Sequence, residues 1–276
     1  MKSLKIYFRE ERYIAMKIGI SIDIRELEQA LPIIFRWNHL IEHIQIYLDA
    51  RASQGDSLTL LNFIGKIPSG ISTSFHSYGY LNLSEPNETI RSSMLKVGYE
   101  TIGLLHYING EFVNFHLGYS LSSGVSKEDL LQVARESVFK LAYFAQQYQV
   151  EVHIENDIFL KGGISLGTSL FDLLSVINKG PRNLFICYDI GHANLTMNIP
   201  YTYHEILNHI KSMHVHNNDA LEDQHKAFGD EGSIDLYSIA LDNCLQGRDI
   251  CFIFENDLEG CNRALANYER LIREPR

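Results

Sequence analysis

Nine residues of the kinds that hold divalent metal ions punctuate this sequence: His76, His116, Glu155, Asp189, His192, His216, Asp223, His225 and Glu255. Imidazole and carboxylate without thiolate suit Zn, Mn, Fe or Co better than they suit a soft-metal site. Any one of these residues alone is ordinary. A lone His at the end of an apolar run is commonly a hydrogen-bonded structural group. A carboxylate there is harder to explain, because burying an unpaired one is costly. The nine together are too many for coincidence, and they predict a divalent metal centre. The high count of 12 His in 276 residues agrees.

The chain must bring these residues together. Six of them, His76, His116, Glu155, Asp189, His216 and Glu255, end short apolar segments. Strands are expected at 17–22, 43–48, 70–76, 112–117, 150–155, 184–189, 212–216 and 250–255. Helical patterns fall between and after them, at 25–38, 57–66, 87–109, 127–148, 169–179, 202–210, 234–245 and 260–273. Ser126, Thr168 and Ser233 stand where a hydroxyl can cap the first free amides of a helix, and Gly110, Gly180 and Gly247 stand where helices should stop. Residues two apart on a strand share a face. His153, Cys187, His214 and Cys251 should therefore form a deeper inward layer, with His153 and His214 read as supporting or core groups. The register decides this: a seventh strand that ends earlier would let His214 replace His216.

Eight strands, each followed by a helix, is the count of a (βα)8 TIM barrel, an α/β fold whose chemistry gathers at the carboxyl ends of the strands. A doubly wound sheet also alternates strand and helix, but no Gly-x-Gly-x-x-Gly follows the first strand. Residues 16–276 read as one barrel domain, with 1–15 a short N-terminal arm or a mis-called start.

Composition bounds the function. With 45% hydrophobic and 21% charged residues the chain can bury a large core, which excludes wholesale disorder. A net charge of −10 disfavours a broad basic footprint for nucleic acid or anionic membranes, though a local one stays open. Cys187, Cys244, Cys251 and Cys261 have no Cys-x-x-Cys spacing and read as buried free thiols in a reducing compartment. No apolar run reaches the roughly 18 residues of a membrane span, and the expected location is the cytoplasm.

The ordered segments are His76-Ser-Tyr-Gly-Tyr, Asn-Phe-His116-Leu-Gly, Ile-Glu155-Asn, Tyr-Asp189-Ile-Gly-His192-Ala, Val-His216-Asn-Asn-Asp, Asp223-Gln-His225 and Phe-Glu255-Asn. Over residues 16–258 this set resembles the xylose isomerase-like TIM barrel superfamily (AP endonuclease family 2), and within it the endonuclease IV type of site. The resemblance implies one to three divalent ions, zinc foremost. By position, His76, His116 and Glu155 would hold the first. Glu155 would bridge to a second, shared with Asp189, His216 and Glu255. His192, Asp223 and His225 would hold the third. The family's simpler isomerases and epimerases keep the Glu155, Asp189, His216, Glu255 quartet. The chain departs from the DNA-repair enzymes in its short loops, which puts duplex DNA in doubt and favours a small phosphorylated or sugar-like substrate.

Two reactions fit. The fuller ligand set favours phosphoester hydrolysis, with Glu155 bridging two ions and Glu255 orienting the attacking water. The alternative is isomerisation or epimerisation of a keto sugar or its phosphate, with Glu155 and Glu255 exchanging a proton. A non-catalytic metal-binding barrel is a third, minor reading. Tyr78, Tyr80 and Lys161 are possible substrate contacts, and Trp37 should pack against the barrel.

Overall fold

The structure is a computed structural model and describes residues 16–48, 56–122, 124–196, 206–236, 238–239 and 249–273. The expected arm at 1–15, Cys244, Gly247, residues 202–205 of the helix expected at 202–210 and most of the helix expected at 234–245 lie outside these residues, while Leu207–His209 form a single 3-10 turn and Ile210 already opens a strand.

Eight parallel strands close into one barrel: β1 (Lys17–Asp23), β2 (Ile41–Tyr47), β3 (Ser72–His76), β4 (Phe112–His116), β6 (Glu151–Glu155), β8 (Leu184–Asp189), β9 (Ile210–Val215) and β10 (Cys251–Phe254). The remaining two strands, β5 (Tyr119–Ser120) and β7 (Ile164–Ser165), pair antiparallel outside the barrel and were not expected. They tie the loop after β4 to the loop after β6. Among the described residues the α-helices are α1 (Leu27–Arg36), α2 (Asp56–Ile64), α3 (Glu88–Tyr107), α4 (Lys127–Gln146), α5 (Leu170–Ile177), α6 (Ile190–Thr196) and α7 (Leu258–Arg273). Helix α6 was also not expected; it begins directly after Asp189.

Alternation along each strand explains the two compartments. One set of residues, including Ile20, Ile44, Phe75, Phe115, Ile154, Ile186, Met213 and Phe254, is buried in the apolar core shared with the helices. Burying each such side chain contributes about 1.5–3 kcal/mol. The alternate set is polar, yet also buried: His43, Gln45, Ser74, Asn114, His153, Ser212 and His214. At the amino end, Phe112 is stacked between His43 (5.2 Å) and His153 (4.0 Å). His43 is held by Ser72 and Ser74, and burial pushes it down to about 3, so it is neutral. His153 lies 2.8 Å from Ser212 Oγ, which agrees with its expected supporting role.

Local signals were partly misread. Ser126 caps α4 as expected. The α5 cap is Ser169 rather than Thr168, because Ser169 accepts from the Asp172 amide. Asp235, not Ser233, accepts from the Ser238 amide, while Ser233 Oγ donates to Asn218 O. After α3 and α5 the left-handed residues are Asn109 and Lys179, each one before the expected glycine. Gly110 is there for closeness instead, since a Cβ would fall 2.0 Å from Leu105 Cδ1. Cys187, Cys251 and Cys261 are buried free thiols, and Trp37 is buried with its indole N–H on Asn262.

Candidate metal centre

The carboxyl ends of six strands and the loop after β9 converge on one cluster of imidazoles and carboxylates. Glu155, which ends β6, lies at its middle and is 1% exposed. Its Oε2 is 3.2 Å from His76 Nε2 and 3.7 Å from His116 Nε2. Its Oε1 is 3.0 Å from His214 Nδ1. His214 Nδ1 also lies 3.2 Å from Glu255 Oε2 and 3.7 Å from Asp189 Oδ2.

Of five overlapping donor groups among the described residues, three together take in every expected ligand. His76, His116 and Glu155 form one; Glu155, Asp189, His214 and Glu255 form a second; His192, His216, Asp223 and His225 form a third. Within each group one donor atom per residue lies within 4.8 Å of the others. All nine expected residues fall in these groups, but His214 joins them and His216 changes group. The reason is register. Asp189 is paired directly with His214, and β9 ends at Val215. His216 lies two residues further along, just past the end of β9, with Nε2 3.1 Å from Asp189 Oδ2 and Nδ1 3.8 Å from Asp223 Oδ1. His214 thus stands among the candidate donors, the alternative that an earlier end of the seventh strand left open, and His216 remains one beside it.

The neighbouring polar residues aim these donors. Gln45 Oε1 lies 2.8 Å from His214 Nε2. Asp157 Oδ2 lies 3.1 Å from His116 Nδ1. The Asn114 amide donates to Glu155 Oε2. His225 Nδ1 donates to Glu255 O at 2.9 Å. Metal-binding histidines characteristically give their other nitrogen such a partner, which fixes ring orientation and tautomer. These supporting residues were missed in the sequence. Their signal was alternation, which places Gln45 and Asn114 on the inward face.

Electrostatics follow from packing so many charges together. Burial alone would push Glu155 and Asp189 up, but His214 and His116 around Glu155, and His192 and His216 around Asp189, hold both well below the carboxylate range. Burial opposes protonation of His116 and His225. The carboxylates Glu155 and Asp157 beside His116, and Asp223 and Glu255 beside His225, outweigh it and raise each to about 9.

A divalent ion fits this donor set. His216 Nδ1, Asp223 Oδ1 and Glu255 Oε2 are buried and make no hydrogen bond. Buried polar atoms are almost always satisfied; of eight exceptions among the described residues these three fall on clustered candidate ligands, where a cation would satisfy them. Of the expected substrate contacts, Tyr78 packs against the core and Tyr80 is 42% exposed, with ring centroids 5.3 Å apart. Lys161 is exposed on the turn between β6 and β7.

A family model described as xylose isomerase-like TIM barrel matches residues 61–241. An uncharacterized protein of Methanocaldococcus jannaschii is 28% identical over 166 residues, 58% of this chain and 55% of that protein. The match thus spans about half the length of that relative. The fold is similar to a solved D-tagatose 3-epimerase-like protein, with a TM-score of 0.79 and 23% identity over 94% of this chain and 99% of that one. It is also similar to a solved L-ribulose 3-epimerase, with a TM-score of 0.73 and 17% identity over 94% of this chain and 95% of that one.

Proposed function

We propose, from the premise that the chain belongs to the xylose isomerase-like TIM barrel family, that it is a metal-dependent isomerase or epimerase of a small keto sugar. The observation that carries this reading is the pair Glu155 and Glu255 in one donor group with Asp189 and His214, their donor atoms within 4.8 Å of one another. The likeness to sugar epimerases supports it over phosphoester hydrolysis, which the sequence reading had placed first.

Glu155, Asp189, His214 and Glu255 would hold the ion. A divalent ion bound there supplies Lewis-acid polarisation of a carbonyl and its neighbouring hydroxyl. One of Glu155 and Glu255 removes the proton from the carbon beside the carbonyl, leaving an enediolate. The other, having taken up a proton from solvent, delivers it to the opposite face, which inverts that carbon, and the first gives its proton up to solvent. Both groups start ionised because the surrounding imidazoles favour the carboxylate. Each carboxylate thus ends ionised as it began, with one proton drawn from solvent and one returned to it. Tyr80 and Lys161, on the loops after β3 and β6, would cover the substrate, with Tyr78 packed behind Tyr80. The partner is a small sugar-like molecule, and no helix among the described residues is long and apolar enough to cross a membrane.

Phosphoester hydrolysis is kept as a second reading on one observation, the separate group of His192, His216, Asp223 and His225. Proton transfer alone does not call for it, and multi-ion hydrolysis does.

The test is a panel of keto sugars incubated with protein loaded with Zn, Mn or Co, with epimers resolved by chromatography. At least one sugar should be converted, and a chelator should stop it. Absence of any conversion alongside chelator-sensitive phosphoester cleavage would select the second reading.

A further inference from the structure

Asn156 is fully buried, one residue past the end of β6. Its side chain pairs with the backbone of Asp189 in both directions. Nδ2 donates to Asp189 O at 2.8 Å, and Oδ1 accepts from the Asp189 amide at 2.8 Å. The regular β6–β8 ladder has its last pair at Glu155 and Cys187. The Asn156 amide extends that ladder with a side chain, at the residue where a ligand must be aimed.

A third contact leads outward. The backbone carbonyl of Asn156 lies 2.9 Å from His192 Nδ1. A carbonyl only accepts, so Nδ1 carries the proton. In the neutral ring this leaves the Nε2 lone pair for the side facing Asp223 Oδ2, 3.3 Å away. Asp189 itself then reaches both donor groups. Its Oδ1 accepts from the His192 amide at 2.7 Å, and its Oδ2 lies 3.1 Å from His216 Nε2 and 3.7 Å from His214 Nδ1.

We infer that Asn156 is a positioning residue that locks the Glu155–Asp189–His214–Glu255 group and the His192–His216–Asp223–His225 group into one geometry, so that a change at Asn156 weakens ion binding at both together. The inference rests on the metal reading above but not on the sugar reaction. Asn156 touches neither ion nor substrate; it acts through Asp189 and His192.

The test is a cobalt titration of the full chain, followed by visible absorption and by the number of ions retained. Wild type, Asn156→Ala, Asn156→Asp and Asp223→Asn are compared. Losing a group that orients metal ligands typically costs about 10–100-fold in affinity. Asn156→Ala keeps the carbonyl on His192 Nδ1 but loses both bonds to the Asp189 backbone, and through the contacts of Asp189 with His192 and His216 it should weaken both groups by that order. Asn156→Asp, which still accepts from the Asp189 amide but cannot donate to its carbonyl, should fall between. Asp223→Asn should weaken the outer group alone. If Asn156→Ala does not fold, Asn156→Asp carries the comparison. Wild-type affinity and spectrum in the folded variant would overturn the inference, and so would a loss confined to one group. A wild-type chain that takes up no ion overturns it along with the metal reading. Ions bound without any sugar conversion overturn only the proposed reaction.

Discussion

His214 Nδ1 lies 3.0 Å from Glu155 Oε1, and its other nitrogen lies 2.8 Å from Gln45 Oε1. One edge of the ring thus faces the carboxylates and the other is held from across the barrel. If Gln45 aims His214 at an ion, Gln45→Ala should lower ion affinity about 10–100-fold while leaving the fold intact. Competition against a coloured chelator measures this. Unchanged affinity would remove His214 from the ligand set.

Gly191 lies against His216. A Cβ at Gly191 would fall 1.9 Å from His216 Cε1 and 2.4 Å from Nδ1, so the ring must move. Gly191→Ala is therefore expected to cost about 1–3 kcal/mol in stability, the usual range for overpacking. It should also lower ion uptake at the proposed site of His192, His216, Asp223 and His225. Thermal unfolding and elemental analysis check the two halves. A variant with full ion content would show that His216 is not a ligand.

The difference between Gly191 and Gly110 shows what the sequence could and could not reveal. The barrel was legible because the eight apolar runs are short, regularly spaced and end in polar residues. Six of the nine candidate donors stand out for the same reason, while His192, Asp223 and His225 end no apolar run and were singled out by the motifs around them. The partition among ions was not. His214 and His216 have the same parity on β9, so alternation puts both inward and cannot say which meets Asp189. That follows from the Asp189–His214 register, a property of two strands paired. Gly110 and Gly191 look alike in sequence, yet one makes room for Leu105 and the other for a candidate ligand. Asn156 was quoted in the Glu155 motif without a role, because its partner Asp189 is 33 residues away.

The pH dependence has a definite sign. His116 and His225 are raised from an ordinary 6.5 to about 9 in the metal-free protein. A raised imidazole stabilises the fold fully below about 6.5, and that contribution is lost as the pH climbs through about 9. Chelated protein should thus become less stable to denaturant between these values. Ion affinity should move the other way, because protons and metal compete for the same nitrogens. Denaturant melts and ion titrations at pH 6.5, 7.5 and 9 test this; a flat ion affinity across the range would exclude His116 and His225 as ligands.

Glu255 is required on either face of the proposed proton transfer. Glu255→Gln keeps the shape but not the base, and should lower kcat by about 10²–10⁴. Full activity in the variant would sink the two-carboxylate mechanism.

The most direct test is hydrogen exchange at the substrate carbon. Metal-loaded protein is incubated with a keto sugar in D2O, and proton NMR follows the hydrogen on the carbon beside the carbonyl. Deuterium is expected at that position, and its incorporation should be lost on chelation and in Glu255→Gln. Retention of the original hydrogen across the sugar panel, with phosphoesters cleaved by the same preparation, would contradict it.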